Sequence, residues 1–194
     1  MRCWRVLIGC CLFVAAVAGY ADDGAWQRLQ QGGYVVIMRH ALTDPPRGEE
    51  PAKFTLADCA TQRNLGAQGR ADMAALARAL ERRKVAVGEV FSSRYCRCQE
   101  SAHIAFGRAE VWDVLNGYPG PAPYWEGYDF EQLLAIRKQL SDAPPVGTNR
   151  FLVTHNTHIK ALLDIWVEPG EMVVVRPLGR MFLTVVGRIV PAGY

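Results

Sequence analysis

Two histidines stand where apolar runs stop, and each is placed to do chemistry on an anion. Tyr34-Val35-Val36-Ile37-Met38 runs into Arg39-His40, and Phe151-Leu152-Val153-Thr154 runs into His155. A buried strand that ends on a titratable ring presents it at the carboxyl edge of an open α/β sheet, where such sheets bind ligands. Arg39 suits an anionic substrate, because a planar guanidinium pairs oxyanions through two parallel hydrogen bonds. Arg97 lies four residues after Ser93, in the first turn of the helix that follows a second apolar run. Parallel strands bring Arg39, His40, Arg97 and His155 to one edge, and the adjoining helix N-termini add their own positive ends. Two guanidiniums and two imidazoles gathered there need an anion. A phosphoryl group fits: arginine forks pair its equatorial oxygens, and a neutral imidazole attacks phosphorus in line.

Other residues offer chemistry less directly. Arg63 either reaches the same anion from a long loop or pairs with an acid near Asp58. His155 and His158 form His-x-x-His, a spacing that can hold a metal on a helix. No acidic partner is adjacent, so His158 reads as a residue lining the cleft and no metal site is expected. His103 reads as a surface or packing residue. No Gly-x-Ser-x-Gly elbow surrounds Ser92 and Ser93, so they read as a strand-to-helix turn rather than as nucleophiles. Tyr118, Tyr124, Trp125 and Tyr128 either stack on a sugar or pack their own loop.

The elements that must position these groups alternate. An entry helix over 22–31 breaks at Gly32-Gly33, and the first strand is 34–38. A long connection, 41–65, contains Pro45, Pro46, Gly48 and Pro51, and a loop of this length is usually functional or mobile. A helix over 66–84 carries Met73, Leu76, Ala77 and Leu80 as one apolar stripe. A strand over 85–93, a helix over 95–106, a short strand over 110–115 and a Gly/Pro/aromatic loop over 116–128 follow. The chain then reads as a helix over 130–140, a strand over 150–154 and a helix from 157 to about 166. It closes with a hairpin, 172–176 and 181–190, turned around Pro177-Leu178-Gly179. Such alternation predicts a three-layer α/β/α domain with a mostly parallel sheet and a C-terminal antiparallel hairpin.

The chain has 194 residues, 50% hydrophobic, enough for one domain with a sizeable core and too few for two. Arg2 and Arg5, the apolar run Val6 to Val17 and the small residues of Ala18-Gly19-Tyr20-Ala21 have the layout of a secretory signal peptide. The run is too short to span a bilayer. Residues 1–21 are therefore expected to be cleaved, leaving a domain over 22–194, periplasmic or otherwise exported, with no stable membrane insertion. Cleavage removes Arg2 and Arg5 and no acids, leaving 20 basic against 19 acidic residues, a net +1. Nothing in that balance points to nucleic acid. Cys59, Cys96 and Cys98 remain: one bridge and one free thiol, or an intermolecular bond. Cys96 and Cys98 cannot both meet Cys59. A Cys-x-Cys metal site is disfavoured, because ligand pairs usually start from wider spacings. The sequence leaves open which of the two pairs with Cys59; Cys96, with Cys98 free, is the expectation.

The joint pattern resembles the histidine phosphatase (phosphoglycerate-mutase-like) superfamily. It is carried by Met38-Arg39-His40-Ala41, Asn64-Leu65-x-x-x-Gly69-Arg70, Ser92-Ser93-x-x-x-Arg97-x-x-x-Ser101-Ala102 and Val153-Thr154-His155, from about residue 33 to 165. Asp58 to Leu65, Tyr95-Cys96-Arg97-Cys98 and Gly170 to Val175 further resemble its exported bacterial branch, which includes the lipopolysaccharide-core heptose-phosphate phosphatase. The resemblance implies a phosphomonoester hydrolase that needs no metal or cofactor and acts on a small phosphorylated metabolite or a phosphorylated glycan. By the same resemblance His40 becomes phosphohistidine, and Arg39, Arg97 and His155 hold the phosphoryl group; Arg63 and His158 are the candidate substrate-binding residues on the reading given above. A carboxylic acid protonates the leaving oxygen. Asp113-Val114-Leu115-Asn116-Gly117 has the spacing of the mutase-like acid, and Glu126 is the second candidate. The position after the second histidine, acidic in the acid-phosphatase branch, is Asn156, which cannot donate as a carboxylic acid. A catalytically silent phosphate- or glycan-binding protein on the same scaffold is the alternative. Oligomeric state is not indicated.

Overall fold

The structure is a computed structural model, and it describes residues 23–46, 50–117 and 129–194. The signal-like segment, Glu126 and the aromatic loop residues Tyr118, Tyr124, Trp125 and Tyr128 lie outside the described residues. The described elements are α1 (Asp23–Gln31), β1 (Val35–Arg39), α2 (Ala67–Arg82), β2 (Val87–Ser92), α3 (Cys96–Phe106), β3 (Glu110–Val111), α4 (Phe130–Ser141), β4 (Asn149–Thr154), α5 (Asn156–Leu163), β5 (Met172–Gly179) and β6 (Phe182–Ile189).

These strands form one six-stranded sheet in the order β3-β2-β4-β1-β5-β6. β1, β2, β3 and β4 run parallel, while β5 runs antiparallel to β1 and β6 antiparallel to β5. β1 and β4 are apolar on both faces because both faces are covered. Val36, Met38, Phe151 and Val153 pack with Trp26, Leu29, Met73, Leu76, Ala102 and Phe106 of α1, α2 and α3. Val35, Ile37 and Leu152 point the other way, onto Ile136, Leu140 and Ile159 of α4 and α5. The three-layer α/β/α architecture expected from the sequence is thus present.

Three boundaries differ from the sequence reading, each for a local reason. The closing hairpin does not turn at Pro177-Leu178-Gly179. β5 continues through those residues, pairing Pro177 with Leu183 and Gly179 with Phe182. Proline is tolerated there because β1 pairs β5 only from Met172 to Val175, so at Pro177 the strand has a partner on one side alone. The turn is Arg180-Met181, both with positive φ (50° and 69°), the two-residue geometry that matches strand twist. Residues 110–115 hold a two-residue strand followed by a 3₁₀ turn over Asp113–Leu115. α5 stops at Leu163, capped by Asp164 in the left-handed region.

Candidate active site

The register of the parallel strands sets the site. Arg39 of β1 is level with Thr154 of β4, and Ser92 of β2 with Val153. The next residues continue the ladder: His40 N–H donates to the Thr154 carbonyl (2.9 Å), and Ser93 N–H to that of Val153 (3.0 Å). His40, Ser93 and His155 therefore leave the sheet side by side, and the His40 and His155 rings lie 5.5 Å apart, edge to face. α3 and α5 begin immediately beyond, so their N-termini face the same edge.

His40 is buried, with its Nδ1 2.8 Å from the carbonyl oxygen of Ala41. A carbonyl only accepts, so Nδ1 carries the hydrogen and Nε2 keeps its lone pair. Burial, then the positive charge of Arg97, hold this imidazole well below its ordinary pKa. Arg39 and Arg63 push the same way, against the Ala41 hydrogen bond. His40 is thus a neutral imidazole with a bare Nε2, a form chemically able to act as a nucleophile. Ser101 ties it to α3: its hydroxyl donates to the Arg97 carbonyl (2.7 Å) and accepts from Ala41 N–H (3.0 Å).

The second histidine is neutral for the same reasons, burial first and Arg97 next. Its Nε2 lies 3.0 Å from the Ser93 hydroxyl, which also meets the Asn116 side-chain oxygen at 3.0 Å. Tyr95 packs edge-on to it at 4.7 Å. Gly117 also lies against the ring, where an added Cβ would come within 2.8 Å of His155 Cγ. Only glycine passes there.

Arg97, from the first turn of α3, lies 4.4 Å from the Tyr95 ring and its side chain is 6% exposed. Its Nη1 donates to Glu50 Oε1 at 2.6 Å, and its buried Nε has no hydrogen-bond partner among the described residues. Arg63 donates through Nη1 to Thr43 Oγ1 (3.2 Å) and to the Pro46 carbonyl (3.3 Å). Its partial burial and the neighbouring Arg97 charge lower its pKa. Of the two readings offered for Arg63, the loop brings it to the basic cluster. Arg39 donates to the Val167 carbonyl (2.9 Å), and Asn156 accepts from Val167 N–H (3.0 Å). Asn156 thus anchors the residue whose carbonyl positions Arg39.

The long connection is held over the site by covalent and polar links. Cys59 is disulfide-bonded to Cys96, one residue before Arg97, and Cys98 is a buried free thiol. Burial pushes the Cys98 thiol up to about 12, which makes it inert. Gln62 accepts from Cys96 N–H at 2.9 Å and so caps α3. Gly69 of α2 meets the same connection: a Cβ there would lie 2.2 Å from the Leu42 carbonyl oxygen.

Two expected site residues stand elsewhere. His158 is fully buried behind His155, its Nδ1 2.9 Å from Thr154 Oγ1, and does not line an open cleft. The expectation that His158 lines the cleft fails because α5 turns this face onto β4. Asp113 hydrogen-bonds Arg94 (2.6 and 2.8 Å) and Asn116 (3.2 Å) rather than the basic cluster, and its side chain is 59% exposed. Its hydrogen bond to Arg94 holds its carboxyl below the usual range, against the role of a proton donor. The residue that sequence reasoning missed is Glu50. The available signal was charge balance, since a buried arginine without substrate needs a counter-ion.

Among the described residues no group of three His, Cys, Asp or Glu side chains could hold a metal ion, and no helix is long and apolar enough to cross a membrane.

This fold is shared with solved histidine phosphatases. The protein histidine phosphatase SixA complexed with tungstate superposes with a TM-score of 0.59 at 17% identity, covering 81% of this chain and 97% of SixA. The putative phosphohistidine phosphatase SixA from Agrobacterium tumefaciens gives 0.54 at 17% identity, covering 82% and 98%. A phosphoserine phosphatase mutant from Entamoeba histolytica in complex with phosphoserine gives 0.55 at 11% identity, covering 82% and 98%. Neither a protein-family model nor a curated protein matches the chain by sequence. At these identities the similarity is one of fold.

Proposed function

We propose that this chain is a phosphomonoester hydrolase of the histidine phosphatase superfamily that works through a phosphohistidine intermediate. The observation that carries the reading is the Nδ1–H of His40 bonded to the Ala41 carbonyl. It leaves an unprotonated Nε2 among Arg39, Arg97 and His155, where a phosphoryl group meets cations and a nucleophile together. In-line attack by Nε2 forms the P–N bond and expels the alkoxide, which leaves as the alcohol once protonated. Water then cleaves the P–N bond and regenerates His40. The guanidiniums take up negative charge on the equatorial oxygens as it builds, and burial strengthens each of these contacts. No step requires a metal. The fold's occurrence in structures holding tungstate and phosphoserine supports an oxyanion occupant.

The substrate class we assign is a small phosphorylated metabolite or a phosphorylated glycan, the latter suggested by the resemblance to the exported heptose-phosphate branch. An exported, periplasmic location is supported by the disulfide, which persists in oxidising compartments. The test is His40→Ala with p-nitrophenyl phosphate, together with acid lability of protein-bound phosphate trapped during turnover. Loss of turnover and of the acid-labile label in a folded variant is expected. Retained activity overturns the assignment, and phosphosugar binding without turnover by the unaltered protein assigns a binding role instead.

A further inference from the structure

Glu50 occupies an unusual place for a loop residue. Its side chain is 12% exposed, and its two oxygens are committed to two different site arginines. Oε1 accepts from Arg97 Nη1 at 2.6 Å, and Oε2 accepts from the backbone N–H of Arg63 at 3.0 Å. The carboxylate therefore rests on a guanidinium that a phosphoryl dianion also needs. Three guanidiniums, of Arg39, Arg63 and Arg97, act on His40, and Glu50 pairs one of them.

We propose that Glu50 is the proton donor to the leaving oxygen, and that substrate binding itself converts it from counter-ion to acid. This rests on the phosphatase reading above. A phosphoryl dianion entering the cluster competes with Glu50 for Arg97. The displaced carboxylate is then no longer closed on a guanidinium and is free to carry a proton to the leaving oxygen. The proton comes from solvent with the substrate. Placement agrees with the role. His40 rises from the sheet at the floor of the site, so an in-line leaving group departs away from the sheet. Glu50 comes from the connection that covers the site and not from the sheet. The backbone N–H of Arg63 keeps one oxygen anchored while the other is released.

The step balances. As His40 Nε2 bonds to phosphorus, the P–O bond breaks and its electron pair goes to the leaving oxygen. That oxygen takes the Glu50 proton and departs as an alcohol, leaving Glu50 as carboxylate. In the second half, Glu50 removes a proton from the water that attacks phosphorus. The P–N bond breaks, His40 returns neutral, and Glu50 is again an acid for the next turnover. Asp113 does not fit this task, because it is already closed on Arg94 at the surface.

The test is Glu50→Gln in the full chain, assayed on a series of phosphomonoesters from p-nitrophenyl through phenyl to an alkyl phosphate. The amide keeps the shape and removes the proton. Poor leaving groups need that proton and good ones do not. The expected result is a loss of about 10²–10⁴-fold on the alkyl ester, the usual worth of general acid catalysis, and a loss at least tenfold smaller on p-nitrophenyl phosphate. Affinity for orthophosphate should rise, because the competitor for Arg97 is weakened. Equal losses on all esters, a gain on all of them, or weaker orthophosphate binding would each overturn the proposal. So would the same leaving-group dependence appearing in Glu126→Gln instead. The unaltered protein and His40→Ala are run alongside. If the unaltered protein turns over no ester, the phosphatase reading fails and the proposal with it. If it is active and only the leaving-group dependence is missing, the proposal fails alone.

Discussion

Two buried arginines sit at opposite ends of the sheet, and they are treated differently. Arg150, near the amino end of β4, bonds Glu89 through Nε (2.8 Å) and Nη2 (2.6 Å) and the carbonyls of Gln139 and Asp142 through Nη1 (3.1 and 3.0 Å). Every nitrogen of its guanidinium has an acceptor. Arg97, past the carboxyl end of β2, is as buried, but its Nη1 alone donates, to Glu50 and more weakly to the Arg63 carbonyl (3.5 Å), and its Nε has no partner among the described residues. The lesson is that burial of a cation does not mark a site. A closed set of acceptors fits a structural role, whereas a buried guanidinium with an unfilled donor beside two neutral histidines fits a ligand position.

Truncating each arginine separates the two ends most sharply. Arg97→Ala should cost about 10²–10³-fold in kcat, the loss seen when one preorganised donor to developing negative charge is removed. Arg150→Ala should leave kcat unchanged and lower the free energy of unfolding by about 3 kcal/mol. That is the lower end for a broken buried pair, because Glu89 keeps contact with water. Steady-state kinetics and urea unfolding on both variants decide it. If Arg150→Ala loses activity at full stability, the contrast is wrong.

Acid provides a smaller handle on the same comparison. His40, His155 and His158 cluster at the carboxyl end, and burial is the first cause of the lowered pKa of each. In the unfolded chain a histidine binds a proton below pH ~6.5, while in the folded protein these three stay neutral. The unfolded state then holds more protons, so stability is full above pH ~6.5 and is lost as pH falls. For His158, lowered to about 3, the loss runs from pH ~6.5 down to that value and amounts to about 2 kcal/mol by pH 5. Thermal melts from pH 7 to 5 should show a steady fall, lessened by saturating orthophosphate, which binds only the folded protein. A flat profile would mean that these rings protonate freely when folded.

Most of the frame was legible because it depends on local pattern. The apolar runs 34–38 and 150–154, each ending on a basic residue, required a buried parallel pair, and β1 and β4 are that pair. The approach of Arg97 to the two histidines followed from strand order alone. Glu50 was not legible. Its position depends on how a connection of many residues folds back, and that is set by long-range links: the Cys59–Cys96 bond, the Gln62 cap on α3 and the contact of Gly69 with Leu42. His158 departs from the sequence expectation because a helix that starts at a site edge need not show its first turn to the cleft. Instead that turn is pinned to Thr154. Pro177 misled as a turn signal, since its tolerance depended on which partner strand ends first.

Asp113 is the mildest and most discriminating test of this picture. By spacing it stands where a mutase-like acid belongs, in the turn before Gly117. By structure its carboxylate is committed to Arg94 and largely in water. A carboxyl held ionised by a neighbouring guanidinium has no proton to give at neutral pH. Exposure also gives its ion pair little weight in stability. What Asp113 does is orient Asn116, whose side-chain oxygen meets the Ser93 hydroxyl and the Arg94 N–H (2.7 Å), and Ser93 in turn meets His155. Asp113→Asn keeps an oxygen for these contacts, so kcat should fall less than tenfold, short of the ~10²–10⁴-fold expected for a lost proton donor. The loss should be equal on p-nitrophenyl and alkyl phosphates, because a shifted His155 weakens phosphoryl binding whatever the leaving group. A steep leaving-group dependence in Asp113→Asn would instead restore the spacing argument and move the acid from the covering loop to the turn after β3.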